Sequence, residues 1–173
     1  MNSKQIEDLL YSCSDTRRHF CGVYALDTLP AKPLKRRGLP SSYICNLDPI
    51  SKPGSHWIAF FIPTRGPIEY FDSYGRDLHP AFFGFVGDRD YIYNTSFLQH
   101  PLTAVCGQYC IFYLWQRTLC STMNDALIVF QPRNLLSNDL LVNFLVERSF
   151  DVTLNLFYIG DQQSSGILGL LTL

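Results

Sequence analysis

The chain has 173 residues, of which 47% are hydrophobic, 14% aromatic and only 17% charged. This length suits a single domain, and the composition supports a packed core while it excludes a disordered, coiled-coil or collagen-like chain. The net charge is −1, and no apolar run approaches the roughly 18 residues of a membrane span. We therefore expect one domain over residues 1–160, with a disordered tail over 161–173. Met1–Leu10 lacks the apolar core of a secretory signal, which predicts an intracellular protein.

The first forty residues predict a helix followed by a basic loop. Ile6, Leu9 and Leu10 fall on one face of a helix that Ser3 would cap. The later stretch AKPLKRRGLPSS is interrupted by prolines, which indicates a loop. It is the one concentrated positive patch, and we interpret it as a solvated loop, with nucleic-acid contact or nuclear targeting as the alternative. The candidate nucleic-acid contacts are Lys32, Lys35, Arg36 and Arg37.

The middle of the chain predicts strands. Tyr43–Asn46 is a short strand candidate, and the nearly continuous apolar run His56–Ile62 is typical of a strand buried on both faces. PTRGP then turns the chain into Ile68–Ser73, so residues 56–73 form a predicted β-hairpin. Tyr91–Leu98 is a further strand candidate, whereas residues 78–87 give no firm pattern.

The last third predicts helices. CGQYCIFYLWQRT, beginning at Cys106, is apolar almost all round, as expected of a helix buried in the core. A short helix over Ser121–Phe130, capped by Ser121, and a helix over Asn138–Arg148 follow. Leu154–Ile159 is a strand or an extended tail. The whole pattern predicts an α+β domain in which helices surround a central, mainly antiparallel sheet.

The six cysteines do not indicate a disulfide scaffold or a metal site. A chain without a secretory signal is expected to keep its thiols reduced. No Cys-x-x-Cys pair is present, and Cys106 and Cys110 lack a second pair of ligands to complete a zinc tetrahedron. We expect no metal, and nothing in the sequence requires a cofactor.

Four residues in chain order suggest nucleophilic catalysis. His56 begins one strand and Asp72 ends its neighbour, so the hairpin brings both to one edge of the sheet. Cys106 opens a helix, where the helix dipole favours the thiolate and lowers its pKa. Gly107 leaves room beside the sulfur for a substrate backbone. Gln99, seven residues before the cysteine, could donate its amide to an oxyanion together with the Cys106 N–H.

The motifs around these residues resemble a known enzyme family. SHWIAFF, IEYFDSYG and a glutamine seven residues before CGQYC are similar to the adenovirus-type cysteine proteases (adenain) and their relatives in Polinton/Maverick elements. The resemblance extends over roughly residues 18–150. The same His–Asp–Gln–Cys order resembles the SUMO and ubiquitin-like-protein proteases of the same clan. The resemblance implies a papain-like, adenain-type fold.

The resemblance also implies roles. Cys106 would be the nucleophile, His56 its base and imidazolium partner, Asp72 the acid that orients the histidine, and Gln99 an oxyanion donor. Trp57, beside the histidine, would bind substrate in a cleft that favours glycine. Asp72 stands where adenoviral enzymes commonly have glutamate, and aspartate is what the SUMO proteases use. These roles predict peptide-bond hydrolysis through an acyl-enzyme.

The sequence is compatible with three functions. The first is an endopeptidase that processes virion precursors of a virus or mobile element, as a monomer in the nucleus or virion. The second is a protease that removes ubiquitin-like proteins from conjugates. The third is a catalytically silent domain associated with capsid or nucleic acid. The adenain resemblance also implies a peptide or DNA activator, although no cysteine lies between Cys45 and Cys106 to tether a peptide by a disulfide.

Overall fold

The structure is a computed structural model that describes residues 1–34 and 38–163, with side chains described up to residue 150. Its core is one five-stranded sheet with helices packed against it. Short 3₁₀ turns occur at Thr16–Arg18 and Pro80–Phe82. In chain order the elements are α1 (Ser3–Ser12), β1 (Phe20–Tyr24), β2 (Ser41–Asn46), β3 (Trp57–Ile62), β4 (Ile68–Phe71), α2 (Phe83–Val86), β5 (Tyr91–Tyr93), α3 (Cys106–Leu119), α4 (Met123–Leu127) and α5 (Leu135–Gln163).

The sheet is mixed, which corrects the prediction of a mainly antiparallel one. The strands lie in chain order. The β2–β3 and β3–β4 pairs are antiparallel, but β1–β2 and β4–β5 are parallel. Parallel neighbours need a long crossover connection, and the segments between these outer pairs are long enough to supply one. The α+β class itself is confirmed.

The predicted hairpin is confirmed, and it buries both of its faces. In β3 and β4, Ala59 lies opposite Phe71 and Phe61 opposite Glu69. Ala59 and Phe61 point into the larger core cluster together with α3. Phe60, between them, points to the other side into a second cluster with Phe82 and Phe85. Alternate side chains of a strand face opposite sides of a sheet, so the apolar run contributes side chains to two cores.

Helix α3 occupies the centre of the larger core. Five successive side chains after its first turn are no more than 1% exposed, and α1 and α5 pack around them. The helix begins at Cys106, as predicted. Because both ends of the β3–β4 hairpin and this helix are fixed by core packing, the side chains at their termini are held by rigid elements. These five are Tyr109, Cys110, Ile111, Phe112 and Tyr113, and Leu114, which is 0% exposed, continues the run.

Two of the predicted helix caps are wrong. Asn2 rather than Ser3 caps α1, because its side chain accepts from the Gln5 N–H while Gln5 accepts from the Asn2 N–H. This reciprocal capping box satisfies two backbone donors at once. Thr122 rather than Ser121 caps α4 by accepting from the Asp125 N–H. The helix is accordingly shorter than Ser121–Phe130.

Other element boundaries also differ from the predictions. The strand predicted over 91–98 ends at Tyr93, because the Asn94 side chain bonds the backbone of another loop. The prediction of a strand or extended tail at Leu154–Ile159 is wrong, since α5 runs through it; a short apolar run fits strand and helix equally well. Of the predicted tail, residues 161–163 end α5 and 164–173 lie outside the described residues. None of the helices in the described part of the chain is long and apolar enough to cross a membrane.

Candidate active site

His56 and Asp72 meet where the β3–β4 hairpin ends. His56 directly precedes β3 and Asp72 directly follows β4, so the antiparallel pairing places them side by side. The His56 Nε2 atom lies 2.7 Å from Asp72 Oδ1. The histidine is 6% exposed and the aspartate is fully buried. A hydrogen bond to a carboxylate with so little solvent access fixes the orientation of the imidazole ring.

Asp72 is itself fixed by the loops around it. Its Oδ1 atom also accepts the Tyr74 N–H at 2.8 Å. The side-chain amide of Asn94 accepts from the Asp72 N–H at 3.0 Å and donates to the Asp72 carbonyl at 2.7 Å. Gly75 closes this turn with φ +64°, and a Cβ there would lie 2.7 Å from the backbone of Ser96. The turn therefore requires glycine, and the carboxylate has little freedom to move.

The thiol of Cys106 lies against the same imidazole. The His56 side chain and the backbone N–H groups of Trp57 and Gly107 lie near enough to its sulfur to lower the pKa of the thiol. Because Nε2 of the histidine bonds Asp72, Nδ1 is the ring nitrogen left for the sulfur. Cys106 is the first residue of α3, where backbone N–H groups have no partner within the helix and favour a negative charge. The structure thus brings Cys106, His56 and Asp72 together.

The pKa values of this pair move in opposite directions. Burial by itself would lower the pKa of His56, but the hydrogen bonds to Asp72 and Cys106 outweigh burial and raise it to about 9. Burial would raise the pKa of Cys106, but the hydrogen bond from His56 and the Trp57 N–H lower it below that of an ordinary thiol. At Cys110, one turn further, burial raises the pKa well above normal. Both directions favour transfer of the proton from the thiol to the imidazole, which gives a thiolate–imidazolium pair.

Gln99 lies on a loop that is tied to the residue after Asp72. Its backbone N–H donates to the Ser73 carbonyl at 3.1 Å, and its Oε1 atom accepts from the Ser73 hydroxyl at 2.7 Å. Nε2 donates to the Thr103 carbonyl at 2.8 Å and makes only a 3.5 Å contact with the Thr103 hydroxyl. An amide nitrogen has two hydrogens, so one remains for a substrate oxygen. The predicted oxyanion role of Gln99 stays a prediction.

Helix α5 stabilises the loop that carries Gln99 through buried hydrogen bonds. Asp139, which is 4% exposed, accepts from the Thr103 hydroxyl at 2.8 Å and from the Tyr109 hydroxyl at 2.9 Å. The same hydroxyl lies 3.0 Å from the Leu98 carbonyl, so its one hydrogen is shared between the two acceptors. These bonds join α3, α5 and the loop that leads into Cys106. The position of Gln99 therefore depends on three separate elements.

A groove of about 700 Å³ opens at the cysteine. Cys106 and Trp57 line it together with residues of the N-terminal segment, of the end of β1 and the turn after it, and of the loop from Asp48 to Ser55. The Trp57 indole N–H donates to the Met1 carbonyl at 3.3 Å. At Gly107 an added Cβ would lie 3.4 Å from both Trp57 and Met1, so this glycine lets the indole pack closely on α3. Substrate binding by Trp57 and Gly107 stays a prediction.

Sequence reasoning missed two residues that shape the site. The Tyr74 ring stacks on the imidazole of His56, with centroids 4.7 Å apart and planes 18° apart. Phe97 stacks on Tyr74 at 5.2 Å, and the Arg76 guanidinium lies 4.7 Å from the tyrosine centroid. Asn94 is the second missed residue. The aromatic residue after Asp-Ser was a visible signal for Tyr74, whereas nothing local marks Asn94.

Lys32 of the predicted basic loop is exposed and lines a cavity of about 710 Å³ with Arg89 and Phe85, separate from the groove at Cys106. Lys35, Arg36 and Arg37 lie outside the described residues, so nucleic-acid contact by this loop stays a prediction. Among the side chains of residues 1–34 and 38–150, no group of three or more His, Cys, Asp or Glu could hold a metal ion.

Comparison with known proteins adds a structural likeness. No family model matches the chain, and no curated protein matches it in sequence. Among solved structures, the ASFV pS273R protease is similar to it, with a TM-score of 0.43 and 23% identity over 54% of this chain. The match covers 39% of that protein, so this chain spans well under half of its length. The function proposed below accordingly rests on the geometry of the site.

Proposed function

We propose that this protein is a cysteine endopeptidase with an adenain-type, papain-like fold. The observation that supports the proposal is the 2.7 Å hydrogen bond between His56 Nε2 and the buried Asp72 carboxylate, next to a Cys106 thiol whose pKa His56 lowers. A nucleophile, a base and a group that orients the base are the minimum set for acyl transfer. Cys106 also lines a groove that can hold a peptide.

In the acylation step the Cys106 thiolate attacks the carbonyl carbon of the scissile peptide bond and forms a C–S bond. The carbonyl electrons move onto oxygen, which the Cys106 N–H and the Gln99 amide stabilise by donating hydrogen bonds. The His56 imidazolium gives its Nδ1 proton to the leaving amine as the C–N bond breaks. The products of this step are a thioester on Cys106 and a neutral imidazole.

Deacylation restores the thiolate–imidazolium pair of Cys106 and His56. The neutral imidazole takes a proton from water, and the resulting hydroxide attacks the thioester carbonyl. Collapse of the tetrahedral intermediate expels the Cys106 thiolate and releases the acid product. The proton then stays on His56, where the hydrogen bond that Nε2 donates to Asp72 favours the imidazolium form. The net reaction consumes one water molecule for each peptide bond.

The substrates we propose are precursor proteins of a virus or mobile element, cut next to small residues such as glycine. Trp57, which lines the groove together with Cys106, supports a preference for a substrate that lacks bulky side chains near the cut. The motif order that supports an adenain-type enzyme also occurs in ubiquitin-like-protein proteases, so conjugates of those proteins are the alternative substrate. A peptide or DNA activator and a nuclear or virion location belong to the adenain-type proposal.

The test compares two substrates on one preparation. A glycine-containing peptide and a SUMO or ubiquitin fluorogenic ester are incubated separately with the purified chain. We expect the peptide to be cleaved and Cys106→Ala to abolish cleavage, whereas Cys120→Ala, a cysteine beyond the other end of the same helix, leaves it unchanged. Turnover of the ester alone would favour deconjugation. Failure of a thiol-directed probe to label Cys106 in native protein at neutral pH would favour the catalytically silent domain.

A further inference from the structure

Asn46 places a buried amide beside the groove at Cys106. It is the last residue of β2 and lies directly opposite Trp57 in the β2–β3 pair. The residue is only 6% exposed, yet it lines the groove together with Cys106 and Trp57. Burial of a polar group is costly unless its donors and acceptors have partners. The amide oxygen and the amide nitrogen differ in how far this requirement is met.

The oxygen of the amide is fully used by the loop that follows β2. Oδ1 accepts the Asp48 N–H at 2.9 Å and the Ser55 N–H at 3.1 Å. Because both partners are donors, the atom that they share is the oxygen, and this fixes the orientation of the amide. Asn46 therefore joins the two ends of the loop over residues 47–55, and its nitrogen is held on the opposite side of the amide.

The nitrogen of the same amide has no acceptor among the described residues. An amide nitrogen carries two hydrogens, but the hydrogen bonds of the Asn46 side chain all use Oδ1. Nδ2 is not one of the fully enclosed side-chain atoms without a partner, so it stays accessible from the groove that the residue lines. A Cβ at Gly54 would lie 2.8 Å from Nδ2, and Gly54 has φ +92°. Glycine at this position therefore keeps the space beside the donor open.

An extended peptide in the groove supplies the acceptor that is missing. The scissile carbonyl must lie at the Cys106 sulfur, which is close to the Trp57 N–H. Asn46 lies across one strand spacing from Trp57, which is about 4.8 Å, and an extended chain advances about 3.3 Å per residue. The backbone carbonyl nearest Nδ2 therefore belongs to a residue within about two positions of the cut.

We propose that Asn46 Nδ2 donates a hydrogen bond to a backbone carbonyl of the substrate, close to the scissile bond. Asn46 is then a substrate-binding residue that aligns the peptide with Cys106, in addition to fixing the loop over residues 47–55. The inference rests on the proposed function, because it takes the ligand of the groove to be an extended peptide. The sequence predicted substrate contacts only at Trp57 and Gly107.

Asn46→Asp separates the two roles of the amide. The carboxylate has nearly the same shape and still accepts both loop N–H groups, but it has lost the donor, whereas Asn46→Ala loses both. The probe is a fluorescein-labelled hexapeptide with two central glycines, and its Kd is measured by fluorescence anisotropy in a Cys106→Ala background that cannot cleave it. We expect each change to raise Kd by about 10-fold or more. Asn134→Asp, a change at an exposed residue outside the groove, is the matched control and should leave Kd unchanged.

Altered peptides test for the acceptor without a change of charge on the protein. In each analogue, one peptide bond next to the central glycines is replaced by a trans alkene, which cannot accept a hydrogen bond. One analogue should bind about 10-fold more weakly when Asn46 is present. Asn46→Ala should weaken binding of that analogue little further, because two changes that remove the same contact are not additive.

The results distinguish this inference from the proposed function. Binding in Asn46→Asp that equals binding by the Cys106→Ala chain itself would limit Asn46 to fixing the loop and overturn the inference. Absence of any peptide binding up to about 1 mM protein, or losses that add in full for every analogue, would overturn it as well. Cleavage of the same hexapeptide by the unchanged chain is measured separately. Binding that depends on Asn46 without any cleavage would refute the protease and leave the contact standing.

Discussion

Asp72 Oδ1 and His56 Nε2 lie 2.7 Å apart across the end of the β3–β4 hairpin, and the same oxygen accepts the Tyr74 N–H. One carboxylate oxygen therefore fixes the imidazole and closes the turn that follows β4. The other oxygen, Oδ2, is buried with no hydrogen-bond partner. Since a buried carboxylate is costly unless it is compensated, the positive charge that it stabilises on His56 matters for both the site and the fold.

Asp72→Ala should therefore slow peptide hydrolysis by about 10²-fold or more, the usual contribution of a positioned acid–base group. Loss of the carboxylate removes the main hydrogen bond that raises the pKa of His56, so the alkaline limit of activity should move to lower pH. Steady-state rates measured across the pH range check both effects. Asp77→Ala, an exposed change outside the site, is the control. An unchanged pH profile in Asp72→Ala would remove Asp72 from this role.

The rate at which Cys106 is alkylated should depend on pH differently from the rate of an ordinary thiol. Its pKa is lowered by His56, so its alkylation by iodoacetamide should persist at pH 6.5, where an ordinary thiol is almost entirely protonated. In His56→Ala the thiol loses the group that opposes burial most strongly, so its pKa should rise and the alkylation rate at pH 6.5 should fall by about 10²-fold. Mass spectrometry of the labelled peptide gives the rate at Cys106. Equal rates in the two proteins would contradict the ion pair.

The loss of stability and activity at alkaline pH follows from the raised pKa of His56. A histidine whose folded pKa is about 9, above its ordinary value near 6.5, contributes stability that is complete below pH 6.5 and is lost as the pH rises through about 9. Hydrolysis should decline over the same alkaline range, because the leaving amine needs the imidazolium proton. Thermal unfolding and initial rates measured between pH 6 and 10 should therefore fall together. Activity that still rises above pH 9 would refute this assignment.

The hairpin and the buried helix could be predicted from the sequence because each has a strong local pattern. A continuous apolar run ending in a Pro-Thr-Arg-Gly-Pro turn leaves few alternatives to a strand at 57–62, and so the neighbourhood of His56 and Asp72 followed from topology. Strand β1 could not be found in this way. It is only five residues long and carries Gly22 at φ +130°, where the register with β2 shifts.

The residues that hold the site in place could not be predicted from the sequence, for a different reason. Asn94 and Asp139 act through bonds to residues 22 and 36 positions away along the chain. No local periodicity encodes such contacts, since they depend on how β5 and α5 pack in three dimensions. The sequence therefore located the reactive groups better than the residues that hold them in place.

Gln99 and Ser73 provide a test of the oxyanion assignment. Gln99→Ala should reduce turnover by about 10²-fold or more, as loss of an oxyanion donor usually does, with little change in KM. Ser73→Ala removes the hydroxyl that holds Gln99 Oε1 and should produce a smaller loss of the same kind. Full kinetics on both variants separate kcat from KM. Undiminished kcat in Gln99→Ala would leave the nucleophile assigned but exclude Gln99 from the chemistry.

A buried ion pair joins the two elements that carry the reactive groups. Glu69 on β4 accepts two hydrogen bonds from the Arg117 guanidinium on α3, at 2.7 and 2.8 Å, and a third from the Tyr113 hydroxyl. Glu69 is 5% exposed and Arg117 8%. Removing one partner of such a pair leaves an uncompensated buried charge and costs about 3–5 kcal/mol.

Glu69→Gln should therefore lower the melting temperature by about 6–12 °C or more, using about 2–4 °C per kcal/mol for a chain of this size. Asp8→Asn is the matched control, because it breaks the exposed ion pair of Asp8 with Lys4 and should cost at most about 1 kcal/mol. Below the melting temperature, Glu69→Gln should also slow alkylation of Cys106, since β4 carries Asp72 and α3 carries the thiol. A melting temperature that equals the control's would mean that core packing alone holds β4 against α3.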